Sequence, residues 1–336
     1  MEESIIRSYL AYLETTGHPA VSRLRAAEIR LFGQGNNNRL YELVVDSGAY
    51  VLKIYPTGRE RRMRQEWEAL RVLEPMRVAP GPVLGESHAR YLEAPTLIYR
   101  KILGTPLQME GVTKADLDRL QTIWNTIHRI PVSTLTLLRE IAGPATPLDC
   151  LLSIDRTLHE LRQGAAQQDR QLREGIENVL RRRQRYTGSS FSERLWQEGH
   201  LSLCQVDNQP GNFIRDEQQG LWLIDWEHAG LMDPACEVAS FFCHLEASVV
   251  SAQNRLDCIQ KYVDQSQDRY AFDKINGYLS ILPMQWVVRL LKTIQNHAAQ
   301  PVQPWITLRS VDELWEDYHH YLITVWTQCD EDRVPL

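Results

Sequence analysis

Residues 201–239 read LSLCQVDNQPGNFIRDEQQGLWLIDWEHAGLMDPACEVA, and three oxygen-bearing side chains within them, Asp207, Asn212 and Asp225, decide how the rest of the chain is understood. Between Asp207 and Asn212 stand Pro210 and Gly211. One restricts the backbone and the other permits unusual angles, so the segment reads as a tight loop that turns both side chains toward one point, where a metal ion fits. Phe213-Ile214 and Leu221-Trp222-Leu223-Ile224 are short apolar runs on either side of a polar turn from Asp216 to Gly220. That is the pattern of a hairpin whose second strand ends on Asp225, bringing it opposite the loop. An Asp and an Asn around Pro-Gly are by themselves ordinary turn residues that bond the local backbone. The addition of Ile-Asp-Trp-Glu after a strand is what points to a site.

Phosphoryl transfer is mostly positioning and charge neutralisation, with Mg²⁺ held by a carboxylate and an amide oxygen and a second carboxylate placed at the acceptor hydroxyl. DNQPGN followed by IDWEHAGLMDPACEVA resembles the catalytic loop and metal segment of the aminoglycoside phosphotransferase and choline kinase family, whose pattern is H-x-D-x-x-x-x-N and then I-D-[WF]-E. The resemblance implies an α+β, two-lobed, protein-kinase-like fold, with a small antiparallel-sheet N-terminal lobe and a larger, mainly helical C-terminal lobe. It implies Asp207 as the base and Asn212 and Asp225 as the Mg²⁺ ligands. Two positions depart from the pattern: Gln205 stands where the family usually has His, and Glu237 where Asp is usual. Neither change removes a metal ligand or the base. The resemblance covers most of residues 30–245 and leaves the N-terminal helix and the last ninety residues unassigned.

Composition is consistent with this picture. A chain of 336 residues is long enough for two lobes with cores of their own. Its formal net charge of −6 argues against general nucleic-acid binding, which needs an excess of Lys and Arg. No apolar run approaches a membrane span, and the opening residues MEESIIRSYLAYLE alternate charged and apolar residues at helical spacing instead of forming an uninterrupted apolar core. The expected location is the cytoplasm. The six cysteines, Cys150, Cys204, Cys236, Cys243, Cys258 and Cys329, form no C-x-x-C pair. They read as buried free thiols and not as a zinc site or a disulfide framework.

Residues 1–104 are expected to form the sheet-rich lobe. Ile29 to Phe32 and Tyr41 to Val45 are strands flanking Gly33-Gln34-Gly35-Asn36-Asn37-Asn38. In that turn Gly35 and Asn38 suit either a plain hairpin or a loop whose backbone amides close over phosphates. Ala49 to Tyr55 is a further strand with one charge, Lys53, in an apolar run. Lys53 either points to solvent from an edge strand or reaches the phosphates of a nucleotide and is held by a glutamate of the following helix. That helix spans Arg59 to Leu73, with Met63, Trp67, Leu70 and Leu73 on one face. Of its acids Glu66 and Glu68, Glu66 matches the family's E-x-x-x-L-x-x-L pattern. After Pro80-Gly81-Pro82 and the strand Thr96 to Tyr99, the resemblance places an interlobe hinge at Arg100 to Gly104. There the Arg100 C=O and the Ile102 N–H are the implied contacts to the base of the nucleotide.

Residues 105–336 are expected to form the helical lobe with the acceptor pocket. Thr113-x-x-Asp116 forms a capping-box pattern before Leu117, Leu120, Ile123, Trp124 and Ile127, and His128 closes that helix as a cap or packed residue. Two helical patterns follow within 147–187, the second ending in a basic run, and further helices are expected near 234–247, 250–266, 284–299 and 311–328. Trp286, Trp305, Trp315, Tyr318, Tyr321 and Trp326 either cage an alkylated amine or form core. Asp312, Glu313, Glu316 and Asp317 either attract a polyamine or form the outer face of a helix.

These readings combine into a phosphotransferase that uses Mg²⁺ and moves the γ-phosphate of ATP or GTP to a hydroxyl of a small molecule, whether an aminoglycoside, an amino alcohol such as choline, or a sugar. The alternative is a nucleotide-binding pseudoenzyme serving as an interaction module, favoured by Gln205 and the Asn-rich loop. A protein kinase ranks lower, because the chain lacks a full G-x-G-x-x-G, has Asp-Trp-Glu in place of D-F-G and shows no A-P-E. A hydrolase is disfavoured by the lack of a G-x-S-x-G elbow.

Overall fold

A computed structural model describes residues 3–17, 21–34, 38–163, 169–184, 200–297 and 309–326. Helix α1, Glu3–Thr15, is followed by the strands β1 (Glu28–Gln34), β2 (Arg39–Val45) and β3 (Gly48–Ile54), helix α2 (Glu60–Leu73), and the strands β4 (Pro82–Ala89) and β5 (Ala94–Arg100). The strands make one antiparallel sheet in the order β1-β2-β3-β5-β4. Because side chains alternate along a strand, β3 serves both faces. Leu52 joins Leu43 and Ile98 under Ile6, Tyr9, Leu10 and Leu13 of α1. Val51 and Tyr55 pack with Met63, Leu70 and Leu73 of α2. Lys53 shares the α2 side, and β3 lies inside the sheet between β2 and β5, so the edge-strand reading of Lys53 does not hold.

Strand β6, Gly104–Pro106, leaves this sheet and pairs with β8 (Phe213–Asp216), which pairs in turn with β9 (Leu221–Leu223); β7 (Ser202–Cys204) pairs with β10 (Gly230–Met232). The rest is helical: α3 (Lys114–His128), α4 (Pro147–Gln163), α5 (Arg170–Arg183), α6 (Pro234–Phe242), α7 (Ala252–Val263), α8 (Ala271–Asn296) and α9 (Val311–His320). The Thr113 capping box forms with both of its hydrogen bonds. Trp124 is fully buried, with edge-on contacts to Phe241, Phe242 and Tyr262. None of the described helices is long and apolar enough to cross a membrane.

Two helix boundaries differ from the pattern reading. The helix expected to start near 284 begins at Ala271 and continues through Pro283. Proline removes one backbone donor, but Leu279, Leu282, Met284 and Val287 are buried on both sides of it, so packing outweighs the local cost. The helix expected over 234–247 stops at Phe242 and passes into a short 3-10 turn at Leu245–Val249. Cys150, Cys204, Cys236, Cys243 and Cys258 are buried free thiols. Gly35, Trp305 and Cys329 lie outside the described residues.

Candidate active site

The loop between β7 and β8 is held in a conformation that its sequence alone would resist. Val206 has a φ of 72° and Asp225 one of 62°, the left-handed region, which is costly for a β-branched residue. Glu237, in α6, accepts the N–H of Gln205 (2.6 Å) and of Val206 (3.2 Å), and its own carbonyl accepts from Asn208 Nδ2 (3.0 Å). The other carboxylate oxygen of Glu237 pairs with His128 Nε2 at 2.7 Å, while His128 Nδ1 meets the Tyr262 hydroxyl at 2.9 Å. His128 therefore closes α3 as a packed residue and also orients the acid that shapes the loop.

Loop and strand end are stitched together by the residues between them. Asn212 Nδ2 donates to the Asp207 carbonyl at 2.9 Å, and the Ile224 N–H donates to the Asn212 carbonyl at 2.9 Å. Gln205 Nε2 donates to the carbonyls of Ile224 and of Asp225, the latter at 3.3 Å. With its Nδ2 so engaged, Asn212 keeps its amide oxygen without a partner among the described residues. Asp225 remains about a third exposed, at 35%. A carboxylate and an amide oxygen of this kind are hard donors that suit Mg²⁺.

Lys53 is the common cation of three acids. Its Nζ lies 2.7 Å from Glu66, 2.5 Å from Asp225 and 3.2 Å from Glu227. Burial works against the ammonium, but Glu66 foremost, with Tyr55, Asp225 and Glu227, outweighs it and holds Lys53 protonated well above its ordinary value. Glu68, the other acid of α2, faces away and accepts the N–H groups of Thr136 and Leu137. Glu227 also accepts from Asn38 Nδ2 at 2.6 Å, which ties the end of the β1–β2 turn to the segment after Asp225. Burial raises the Glu227 carboxyl, yet His228, Lys53 and Asn38 together carry it well below the usual carboxylate range. Sequence reasoning gave Glu227 no role, although it is the second acid of Asp-Trp-Glu.

Asp207 is the least restrained of these acids. Its nearest side-chain donor is Gln209 Nε2, at 3.5 Å. Burial, and then the negative charge of Asp225, pushes its carboxyl above the ordinary aspartate value. It borders a cavity of about 490 Å³ whose walls include Ser240, His244, Trp286, Arg289 and Arg309. At the far end of the sheet, the N–H groups of Arg100 and Lys101 are taken by the carbonyls of Gly81 and Ala49. The Ile102 N–H donates to no other backbone carbonyl among the described residues. The structure thus brings Lys53, Glu66, Asp225 and Asn38 into one bonded cluster, and links Asp207 to Asn212 beside it. Arg100 and Ile102 stand apart at the end of β5.

Comparison with known proteins gives three results. A family model described as the phosphotransferase enzyme family matches residues 28–271. None of the curated proteins matches the chain. Among solved structures, the choline kinase LicA of Streptococcus pneumoniae is similar at 20% identity, over 94% of this chain and 99% of that one, with a TM-score of 0.57. A putative aminoglycoside phosphotransferase of Ralstonia eutropha is similar at 9% identity, over 98% of each chain, with a TM-score of 0.65. The GDP complex of an aminoglycoside 2′-phosphotransferase-IIIa mutant is similar at 18% identity, over 92% of this chain and 97% of that one, with a TM-score of 0.62. The likeness identifies the two-lobed, kinase-like α+β fold.

Proposed function

The chain belongs to the phosphotransferase enzyme family, and we propose that this small-molecule kinase moves the γ-phosphoryl group of ATP or GTP onto a hydroxyl of its acceptor. The observation that carries the reading is the convergence of the Lys53, Glu66 and Asp225 cluster with the linked pair Asp207 and Asn212. A similar structure that holds GDP is the reason to keep GTP beside ATP as donor.

Lys53, fixed by Glu66, offers its ammonium to the phosphate oxygens, with Asn38 bonded to Glu227 beside it. Arg100 C=O and Ile102 N–H meet the edge of the base. Asn212 and Asp225 would hold Mg²⁺, which when bound neutralises the phosphate charge. Asp207 orients the acceptor hydroxyl and takes its proton as the oxygen attacks the γ-phosphorus. The bond from that phosphorus to the β-phosphate oxygen breaks, and the nucleoside diphosphate leaves. Gln205 acts as scaffold, because its amide is spent on the carbonyls of Ile224 and Asp225.

The test is ADP or GDP release in the presence of Mg²⁺ across amino alcohols, sugars, hydroxy acids and aminoglycosides, with wild type beside Asp207→Asn. We expect release stimulated by at least one acceptor and reduced about 10²-fold or more in the variant, the scale of losing an acid–base group. Release that no acceptor stimulates, equal in both proteins, favours the pseudoenzyme.

A further inference from the structure

The cavity beside Asp207 carries information about the acceptor that the family likeness does not. Among the described residues that line it, Asp207 is the only carboxylate, whereas Arg289 and Arg309 bring guanidinium groups. Arg309 is already engaged by Asp317. Arg289 makes no ion pair among the described residues; its guanidinium lies over the Trp286 ring, 5.2 Å from the centroid.

Resting on the reading of this cleft as a phosphotransferase site, we propose that the acceptor is a hydroxy acid whose carboxylate is read by Arg289 while one of its hydroxyls meets Asp207. A guanidinium held over an aromatic ring keeps its in-plane N–H fork free, and that fork matches a carboxylate with two parallel hydrogen bonds. His244 is a further polar residue of the lining, and its Nδ1 is buried with no hydrogen-bond partner among the described residues.

The same lining disfavours cationic acceptors. An alkylated ammonium needs an open aromatic face. Trp286 is the one tryptophan among the described lining residues, and it already has Arg289 over it and Tyr321 stacked against it at 6.0 Å. The other aromatic candidates are engaged elsewhere: Trp315 and Tyr318 pack on each other, and Trp326 lies under Arg182. The acids of α9 are likewise absent from the described lining, with Asp317 paired to Arg309 and Glu313 capping the helix at Ser310. A polyamine would find the base as its only carboxylate there, beside two guanidinium groups.

The experiment compares matched acceptors, D-glucuronate with D-glucose and D-glycerate with glycerol, together with choline and kanamycin. Turnover with Mg-ATP is read alongside calorimetric binding in a non-hydrolysable ATP analogue. We expect at least one acid to exceed its neutral counterpart by about tenfold or more in kcat/KM and in affinity. Arg289→Gln is expected to collapse that preference to within about twofold, and Arg289→Lys, which keeps the charge but loses the fork, to leave it intermediate. Arg289 lies on an exposed part of α8, so both variants are expected to fold. If an acid binds through Arg289 but no acceptor is phosphorylated, the assignment of the pocket stands and the transferase reading fails. If neither acid is preferred to its neutral counterpart, or if choline or kanamycin is preferred, the assignment is overturned. Phosphorylation of that other acceptor would then leave the transferase reading intact.

Discussion

Gln205 occupies the position where the family pattern has a histidine, and its surroundings say what the position is for. Its side-chain amide donates to two carbonyls of the segment that ends on Asp225, and its backbone N–H donates to Glu237. These are structural duties that need a donor but no titrating group. Gln205→His is therefore expected to change kcat by well under the roughly 10²-fold typical of an acid–base residue, read in the acceptor assay; recovery of an otherwise inert protein by this change would contradict the account. Asp207 gives a prediction in pH. Its carboxyl is raised above the ordinary 3.8 by burial and by Asp225, and only the ionised form can take a proton. Activity is thus present above the raised pKa and lost as pH falls through it. The acid limb of kcat/KM against pH should lie above 3.8, and any residual activity of Asp207→Asn should lack that limb.

Glu237 shows how elements hold a site that no single segment could. It joins α6 to the loop after β7 and, through His128, to the end of α3. Removing a buried charged partner leaves the remaining polar groups unpaired, at about 3 kcal/mol. Glu237→Ala should therefore lower stability by about that much in urea unfolding and lower kcat as well, while Glu237→Gln keeps part of both. If Glu237→Ala unfolds like wild type, the positioning role is wrong. What was legible at this scale followed local rules. The family's E-x-x-x-L-x-x-L pattern singled out Glu66 as the partner that Lys53 would have if it did not face solvent, and the box at Thr113 foretold the start of α3. What was not legible depended on distant contacts. The helix expected from near 284 begins at Ala271 with Pro283 inside it, and nothing local to Glu237 announces partners 109 and 32 residues away.

On the scale of the whole molecule, the sheet has a core on each face, and the outer one depends on the N-terminal segment. Ile6, Tyr9, Leu10, Leu13 and Leu24 are almost completely buried against Leu43, Leu52 and Ile98. At ~2 kcal/mol for each buried side chain, their loss approaches the entire stability of an ordinary domain. Deleting residues 1–26 should give an insoluble or unfolded chain, and a soluble truncation with an unchanged melting temperature would refute this. The family likeness reached residues 30–245 and named the segments that come together at the candidate site, but not this outer core. It reached the cavity beside Asp207 only in part, because that cavity is assembled from residues near 142, 206, 240, 285 and 309. The central claim, that Asn212, Asp225 and Lys53 form a site for a metal-bound nucleotide, is tested most directly by calorimetric titration of ATP with and without Mg²⁺, using wild type and Asp225→Ala. We expect Mg²⁺ to tighten binding to wild type by about tenfold or more, in keeping with metal neutralisation of the phosphates, and to have little effect on the variant. Equal affinity for ATP in wild type whether or not Mg²⁺ is present would contradict the account.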